Sequence, residues 1–339
     1  MIRKRKTQSE KEQKKKKKGK KDKRKVDSLF GYPGMTTVDL EEVKFDKLAQ
    51  CCTISILGKR RTGKTTWATH IAQYIHSRVF VVMCGNKDNM TEWQQLVAPL
   101  YVRSKCTNYL QNLRDFQDER CSRFSNKQME IPSSHRVTLI FDDCGYDRKF
   151  MHSEIMKDLL SNGRHYGMYI IILCQYLNQM HAVNRDQLDY IGILYTANVS
   201  NMKKLYNEFM NVCDFRTFKA IVQGVTSNRG MCWIDNTTTT NTVEETVFFA
   251  QLQLPIQKCP LGDPSTWEFS SRRYLNEEKL QLLGTGNKQG AKNCTSFQTD
   301  EEEEEGGGQK ERVKVPFENI TVPDKQGPIT IRKMKFKKD

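Results

Sequence analysis

The chain has 339 residues and a net charge of +15, and only 37% of its residues are hydrophobic. This length fits one large domain or two small ones, and the low hydrophobic content indicates that part of the chain does not fold. The polar start predicts no secretory signal, and apolar runs of about seven residues are far below the roughly 20 that span a bilayer. We therefore expect a soluble protein with no membrane span.

The positive charge is concentrated in an N-terminal arm, residues 1–26, which contains 15 Lys and Arg against three Asp and Glu. Like charges at this density resist packing, so we predict a disordered basic arm. Such an arm attracts polyanions and resembles a nuclear-localisation signal, although it is also compatible with a solvated tail that only aids solubility.

The eleven cysteines show no Cys-x-x-Cys pair, which disfavours a zinc site. Several lie inside apolar runs, where free cysteines behave as small hydrophobic residues. We therefore expect a reducing, intracellular compartment.

Apolar runs alternate with helical patterns between residues 37 and 255. After a short lead-in at 37–49, the predicted strands are 53–57, 79–83, 137–141, 168–173, 191–195 and 231–234. The predicted helices are 64–76, much of 91–130, 152–162, 202–211 and 215–222. Continuous apolar strands alternating with helices are typical of parallel sheets covered on both faces. We predict an α/β domain at 37–255 with a mostly parallel central sheet flanked by helices.

Residues 256–339 change in character, and we predict a largely disordered C-terminal tail. Residues 284–308 are rich in Gly, Asn, Lys, Gln and Thr and include five consecutive glutamates. Two isolated apolar patches, at 313–317 and 329–331, are candidate docking segments.

A phosphate-loop pattern follows the first predicted strand and precedes the first predicted helix. The predicted nucleotide-binding residues are Gly58, Lys59, Arg60, Arg61, Thr62, Gly63, Lys64, Thr65 and Thr66. Glycines let backbone N–H groups surround a phosphate at a helix N-terminus, Lys64 would contact the β- and γ-phosphates, and the Thr65 hydroxyl would bind Mg²⁺. Correct flanking elements disfavour a chance match in a glycine turn.

Two acidic residues, Asp142 and Asp143, end the apolar run 137–141 in the Walker B pattern. Asp142 would hold Mg²⁺ and Asp143 would polarise the attacking water. The alternative is a turn or cap, since acidic residues often follow strands for that reason alone.

Two further polar residues flank the predicted strand 168–173. With the Asp142 strand placed beside the phosphate-loop strand, Gln175 would sense the γ-phosphate; the alternative is an ordinary strand-end amide. Arg164 is a candidate arginine finger that reaches a neighbouring subunit, or else a surface residue at a helix end. Arg60 and Arg61 are competing cationic candidates.

These motifs together resemble the genome-packaging ATPases of large DNA viruses, the poxvirus-type branch of the FtsK–HerA superfamily. The similarity covers roughly residues 37–240. The Walker motifs are shared by many ATPases, whereas the Asn-Gly-Arg-His-Tyr segment at 162–166, running into an apolar strand and Gln-Tyr-Leu at 175–177, is more specific.

The resemblance implies a RecA-like, additional-strand core that works with ATP and Mg²⁺ as a homo-oligomeric ring of five or six subunits. Such motors move double-stranded DNA into a preformed capsid, so the implied partners are DNA and capsid or portal-vertex proteins. The resemblance implies that Lys64 and Thr65 bind nucleotide and Mg²⁺, and that Asp142 supports the metal. It implies that Asp143 activates the attacking water, that Arg164 is the arginine finger and that Gln175 is the polar sensor. One departure is that many relatives carry Glu where this chain has the shorter Asp143.

Alternative functions are a cellular or mobile-element DNA translocase or helicase, and a nucleotide-gated scaffold that binds nucleic acid. The expected place is an infected cell, in cytoplasmic viral factories or the nucleus, or the virion. Two charged pairs, Arg148–Lys149 and Lys203–Lys204, are candidates for facing a DNA pore, although charges at helix ends are usually only solvated.

Overall fold

The computed structural model describes residues 37–125, 129–240, 242–253, 255–274, 314–324 and 328–336. Within them, eleven strands form one sheet in the order β10-β11-β1-β9-β8-β7-β2-β6-β5-β3-β4. The strands are β1 Thr37–Glu42, β2 Thr53–Leu57, β3 Val79–Cys84, β4 Val102–Ser104, β5 Val137–Asp142, β6 Met168–Cys174, β7 Tyr190–Ile193, β8 Met231–Asp235, β9 Val247–Ala250, β10 Lys314–Val322 and β11 Ile329–Phe336.

Ten α-helices connect or cover these strands in the described part of the chain. They are α1 Lys64–Ala72, α2 Lys87–Trp93, α3 Thr107–Ser125, α4 Arg148–Met151, α5 Glu154–Asn162, α6 Ala182–Arg185, α7 Val199–Phe209, α8 Phe215–Thr226, α9 Val243–Thr246 and α10 Pro264–Arg273. The helices α1, α5, α7 and α8 correspond to predicted helices, with ends that differ by up to four residues. The region 91–130 contains α3 and also the short strand β4, and the short helices α4, α6 and α9 were not predicted.

The core lies in two apolar layers, one on each face of the sheet. Every residue of β2, β5 and β6 is buried, because helices cover both faces. Trp67 and Ile71 of α1 pack in one layer, and Met202 of α7 and Phe218 of α8 pack in the other. Successive strand side chains point to opposite faces, so a continuous apolar run serves both layers.

Seven of the ten strand pairs among the described residues are parallel, which confirms the predicted mostly parallel sheet. One predicted neighbour relation is wrong. The phosphate-loop strand β2 does not pair with β5, because β6 lies between them and pairs with both. This intervening strand is the additional strand that the family resemblance implies. The carboxyl ends of β2, β6 and β5 therefore meet at one edge of the sheet, with Gln175 at the centre.

The C-terminal region differs from the predicted disordered tail. The hairpin β10–β11 extends the sheet, with β11 parallel to β1, and α10 also lies beyond residue 255. Both Ile329 and Ile331 are buried, while the charge of Arg332 is paired with Asp39 at 2.6 Å. In the sequence of β11, polar and charged residues are interspersed with apolar ones. The basic composition of the segment therefore did not indicate a strand. Residues 275–313 and the basic arm 1–26 lie outside the described residues, so those predictions stay untested.

Candidate active site

The phosphate loop joins β2 to α1 through two positions that favour glycine. Gly63 is the N-cap of α1 and has φ +90°, a conformation that L side chains rarely adopt. A Cβ atom at Gly58 would lie 2.6 Å from Thr62 Oγ1 and 2.9 Å from Leu194 Cβ. The Gly58 N–H donates to the Cys174 carbonyl at 3.1 Å, which fixes the loop to the end of β6. The loop geometry thus requires the small residues that the motif places there.

The Lys64 ammonium lies over the loop. Its Nζ donates to the carbonyl oxygens of Gly58 at 3.0 Å and Lys59 at 2.9 Å. Burial lowers the pKa of Lys64, while the negative charges of Asp142 and Asp143 oppose that shift. A partly desolvated cation at a helix N-terminus attracts phosphate strongly, since both act on the same anion.

The Asp142 carboxylate is buried, with 2% of the residue exposed. Its Oδ2 atom accepts from Trp93 Nε1 at 2.8 Å, Asn89 Nδ2 at 3.2 Å and Thr65 Oγ1 at 3.4 Å. Burial raises the pKa of Asp142, and the hydrogen bond from Trp93 opposes it. The structure therefore brings together the two predicted Mg²⁺ residues, a hydroxyl and a carboxylate, as hard oxygen donors of the kind that Mg²⁺ prefers.

Asp143 follows with φ 53°, an uncommon left-handed conformation that Asp tolerates better than most residues. Its Oδ1 accepts from Gln175 Nε2 at 3.1 Å, and its Oδ2 accepts from Asn86 Nδ2 at 3.4 Å. The preceding turn packs closely, because a Cβ atom at Gly85 would lie 1.9 Å from the Asp143 carbonyl oxygen. Two amides thus orient the carboxylate that sequence analysis assigned to the attacking water.

Gln175 connects this carboxylate to the turn after β6. Gln179 Oε1 accepts from the backbone N–H groups of Gln175 at 2.7 Å and Tyr176 at 3.2 Å. The side chain of Gln175 donates to Asp143. A movement of this turn would therefore act directly on the Asp143 carboxylate.

Sequence analysis missed four residues of the site, namely Asn86, Asn89, Trp93 and Gln179. Three of them come from the segment after β3, where Asn86 caps α2 by accepting from the Asn89 N–H at 2.8 Å. Asn86, two residues after the end of the apolar strand β3, was a recognisable capping signal. No local signal shows that Trp93, at the end of α2, contacts Asp142, since that contact depends on β3 pairing with β5.

Arg164 is not part of this assembly of residues. It is exposed and precedes β6, whereas Gln175 follows the same strand. Seven residues of strand separate the two edges by roughly 23 Å. Arg164 instead lies near Asp189, where its charge opposes the increase that burial causes in the pKa of that carboxyl group. Arg60 and Arg61 are exposed at the loop.

A cavity of about 610 Å³ adjoins the helix side of the loop. Thr62, Gly63 and Thr66 form one wall, and Tyr195 and Arg229 lie among its other lining residues. The cavity is large enough for a nucleoside next to the phosphate-binding backbone.

The family comparison agrees with these motifs. The sequence profile of the family described as "Poxvirus A32 protein" matches residues 42–251, which is more than half of the chain. The chain belongs to the poxvirus A32 protein family. This confirms the predicted poxvirus-type family and ATPase. The mostly parallel sheet described above confirms the predicted α/β fold class.

Relatives of this A32 family member occur in Invertebrate iridescent virus 6 and Frog virus 3. It is 25% identical over 230 residues to the uncharacterized protein 075L of Invertebrate iridescent virus 6, covering 65% of this chain and 85% of that protein. It is 23% identical over 243 residues to the uncharacterized protein 015R of Frog virus 3, covering 68% and 72% respectively.

Two solved structures align with it at low sequence identity. The genome packaging NTPase B204 of Sulfolobus turreted icosahedral virus 2, in complex with ATP-gammaS, is 13% identical with a TM-score of 0.43, covering 61% of this chain and 100% of that one. EssC (ATPases 2 and 3) of Geobacillus thermodenitrificans is 13% identical with a TM-score of 0.44, covering 69% and 44%.

Among the described residues of our chain, no helix is long and apolar enough to cross a membrane.

Proposed function

We propose that this protein hydrolyses ATP with Mg²⁺ and uses the energy to move double-stranded viral DNA into a preformed capsid. The observation that carries the proposal is the meeting of three strand ends: the phosphate loop after β2, Gln175 after β6, and the pair Asp142–Asp143 at the end of β5. Neither A32 membership nor any single motif alone supplies this arrangement.

Each residue has a distinct role in the proposed reaction. The loop backbone and Lys64 would bind the phosphates, and Thr65 and Asp142 would hold Mg²⁺. The positive charge of Mg²⁺ would neutralise negative charge on the phosphates. The Asp143 carboxylate, held by amides of Asn86 and Gln175, would accept a proton from water as the water oxygen attacks the γ-phosphorus and ADP leaves. The two amides would fix the orientation of this carboxylate.

A second subunit would complete the site. Because Arg164 lies at the opposite edge of the sheet from the phosphate loop, it would serve a neighbour's nucleotide rather than its own. That placement supports the predicted homo-oligomeric ring, of five or six subunits. The proposed partners are duplex DNA, attracted also by the arm at 1–26, and capsid or portal-vertex proteins. The proposed setting is an infected cell or the virion.

The test is the ATP hydrolysis rate with and without duplex DNA at two salt concentrations. We expect DNA to stimulate hydrolysis and the stimulation to weaken at the higher salt, because phosphate contacts release counterions. The Asp143→Asn chain is the control that binds ATP but hydrolyses it at least about a hundredfold more slowly. Hydrolysis that is absent, or equal with and without DNA at both salts, would contradict the proposal.

A further inference from the structure

A second cavity, of about 280 Å³, borders the other end of the phosphate loop at Gly58 and Lys59. Buried apolar side chains contribute to its lining, including Leu57, Ile193 and Leu205. Most of the other lining residues are polar or charged, and they come from the loop, from α4, from the turn after β6, from the segment after β7 and from α7. The Asp142 and Asp143 carboxylates do not line it, so this cavity is separate from the metal residues.

The cavity is strongly basic. Lys59, Arg148 and Lys204 all line it and all three are exposed, whereas none of the lining residues is Asp or Glu. The two flanking cations, Arg148 of α4 and Lys204 of α7, are 56 residues apart in sequence. Three positive charges around one concave surface attract an anion, because low-dielectric walls focus the field into the cleft.

The neutral groups around these cations fit a phosphate ligand. Asn178, Asn201 and Thr196 line the cavity, and Tyr176 is 48% exposed beside them. Arg, Lys, Asn, Thr and Tyr side chains are the usual contacts of DNA phosphates, which fix a protein on the duplex without reading its sequence. A motor that moves along any sequence needs contacts of that kind.

The cavity is also connected to the hydrolytic carboxylate. Its wall includes the turn from Tyr176 to Gln179, and Gln179 Oε1 accepts from the Gln175 N–H at 2.7 Å. Gln175 in turn donates to Asp143 at 3.1 Å. A ligand that shifts this turn would therefore move the group that orients the Asp143 carboxylate.

We propose that Arg148 and Lys204 at this cavity contact backbone phosphates of duplex DNA, and that the turn from Tyr176 to Gln179 transmits this contact to Asp143. The inference rests on the proposed function and assigns its DNA-contacting surface. It selects one residue from each of two neighbouring charged pairs, since Lys149 and Lys203 do not line the cavity.

The test compares two double variants of the full chain that lose the same charge from the same two helices. Arg148→Ala with Lys204→Ala removes the cavity cations, and Lys149→Ala with Lys203→Ala is the matched control. The measurements are basal ATP hydrolysis, the KM for ATP, and the concentration of duplex DNA that gives half-maximal stimulation, each over a range of salt.

For the cavity variant we expect unchanged basal hydrolysis and an unchanged KM for ATP. The half-maximal DNA concentration should rise roughly tenfold near 0.1 M salt, and the slope of log affinity against log salt should decrease by about 2, one for each lost contact. The control variant should remain close to the unmodified chain in all three measurements.

Three results would overturn the inference while the proposed function stands. In one, DNA stimulates both double variants as it does the unmodified chain. In another, both variants lose stimulation equally, which would indicate only general charge attraction. In the third, the cavity variant raises the KM for ATP without changing the response to DNA, which would assign the cations to nucleotide phosphates. If the unmodified chain hydrolyses no ATP or ignores DNA, the proposed function itself fails.

Discussion

Asp142 is a residue whose functional, ionised form is disfavoured by its burial in the fold. Its carboxylate is 2% exposed, and burial raises its pKa, so the charged form needed to hold Mg²⁺ is costly in the folded chain. The donors Trp93, Asn89 and Thr65 offset part of that cost.

We therefore predict that Asp142→Asn removes activity without loss of stability. Turnover should fall about a hundredfold or more, because metal binding contributes several kcal/mol to the transition state. The amide oxygen can still accept from the same donors without burying a charge. The check is the ATPase rate together with the free energy of unfolding from denaturant titration.

The pH dependence of this comparison follows from the sign of the shift. A carboxyl group with a raised pKa binds more protons folded than unfolded, so stability falls as pH rises from the ordinary value through the raised one. The free energy of unfolding of Asp142→Asn, relative to that of the unmodified chain, should therefore rise across that pH interval and then level off. An advantage that is constant with pH, or a large loss of stability, would contradict the account.

Asp143 has a different role and a different expected outcome. Asp143→Asn should leave nucleotide affinity nearly unchanged, while turnover falls by about 10² to 10⁴, the usual contribution of a general base. Nucleotide affinity by calorimetry and turnover by phosphate release separate the two effects. Unchanged turnover would transfer the role of water activation to another residue.

At the level of residues, the sequence predicted the residues that belong to recognised motifs. It missed the residues that hold those motif residues in position. The phosphate loop and the two aspartates have local signatures, because the spacing of glycines, Lys64 and the strand-end acids is itself the mechanism. Trp93 has no such signature, since its contact with Asp142 is created by strand pairing far along the chain.

Among the elements, the C-terminal hairpin β10–β11 is the part that composition described least well. Lys333 is buried at 2% exposure, donates to Glu318 Oε2 at 2.9 Å and lies 5.3 Å from the centre of the Phe249 ring. A lysine in a basic tail gives no indication of burial, because only the docking of β11 against β1 encloses it. The strand order could not be predicted for the same reason, since it depends on long-range pairing.

This buried pair gives a prediction for the stability of the hairpin. Lys333→Met should change the free energy of unfolding by less than about 1 kcal/mol, because an apolar side chain of similar length fills the space. Glu318→Ala should cost about 2 kcal/mol, since it leaves a buried ammonium group unpaired; partial exposure of Glu318 keeps this below the loss for a fully buried pair. Denaturant unfolding measures both, and a larger loss for Lys333→Met would contradict the arrangement.

At the scale of the whole molecule, the two edges of the sheet separate the functional groups. The phosphate loop and Gln175 lie at the carboxyl ends of the parallel strands, while Arg164 precedes β6 at the other edge. A ring of identical subunits would bring one edge of a protomer to the opposite edge of the next, so each nucleotide would be enclosed by two chains.

Mixing two inactive variants tests this sharing. Lys64→Ala and Arg164→Ala should each reduce turnover strongly when alone. In mixed rings some interfaces combine an intact loop from one subunit with an intact arginine from the other, so part of the activity should return. Subunit exchange must be verified by mass measurement, and proven mixed rings without any recovered turnover would exclude Arg164 as the finger.

The central claim is that ATP hydrolysis at this site moves the protein along duplex DNA. Displacement of a third strand bound at the end of a linear duplex, followed in real time, measures this most directly. The account predicts ATP-dependent displacement after a delay that lengthens with the distance to the third strand, and none with Asp143→Asn. Hydrolysis by the unmodified chain with displacement no faster than that of Asp143→Asn would contradict it.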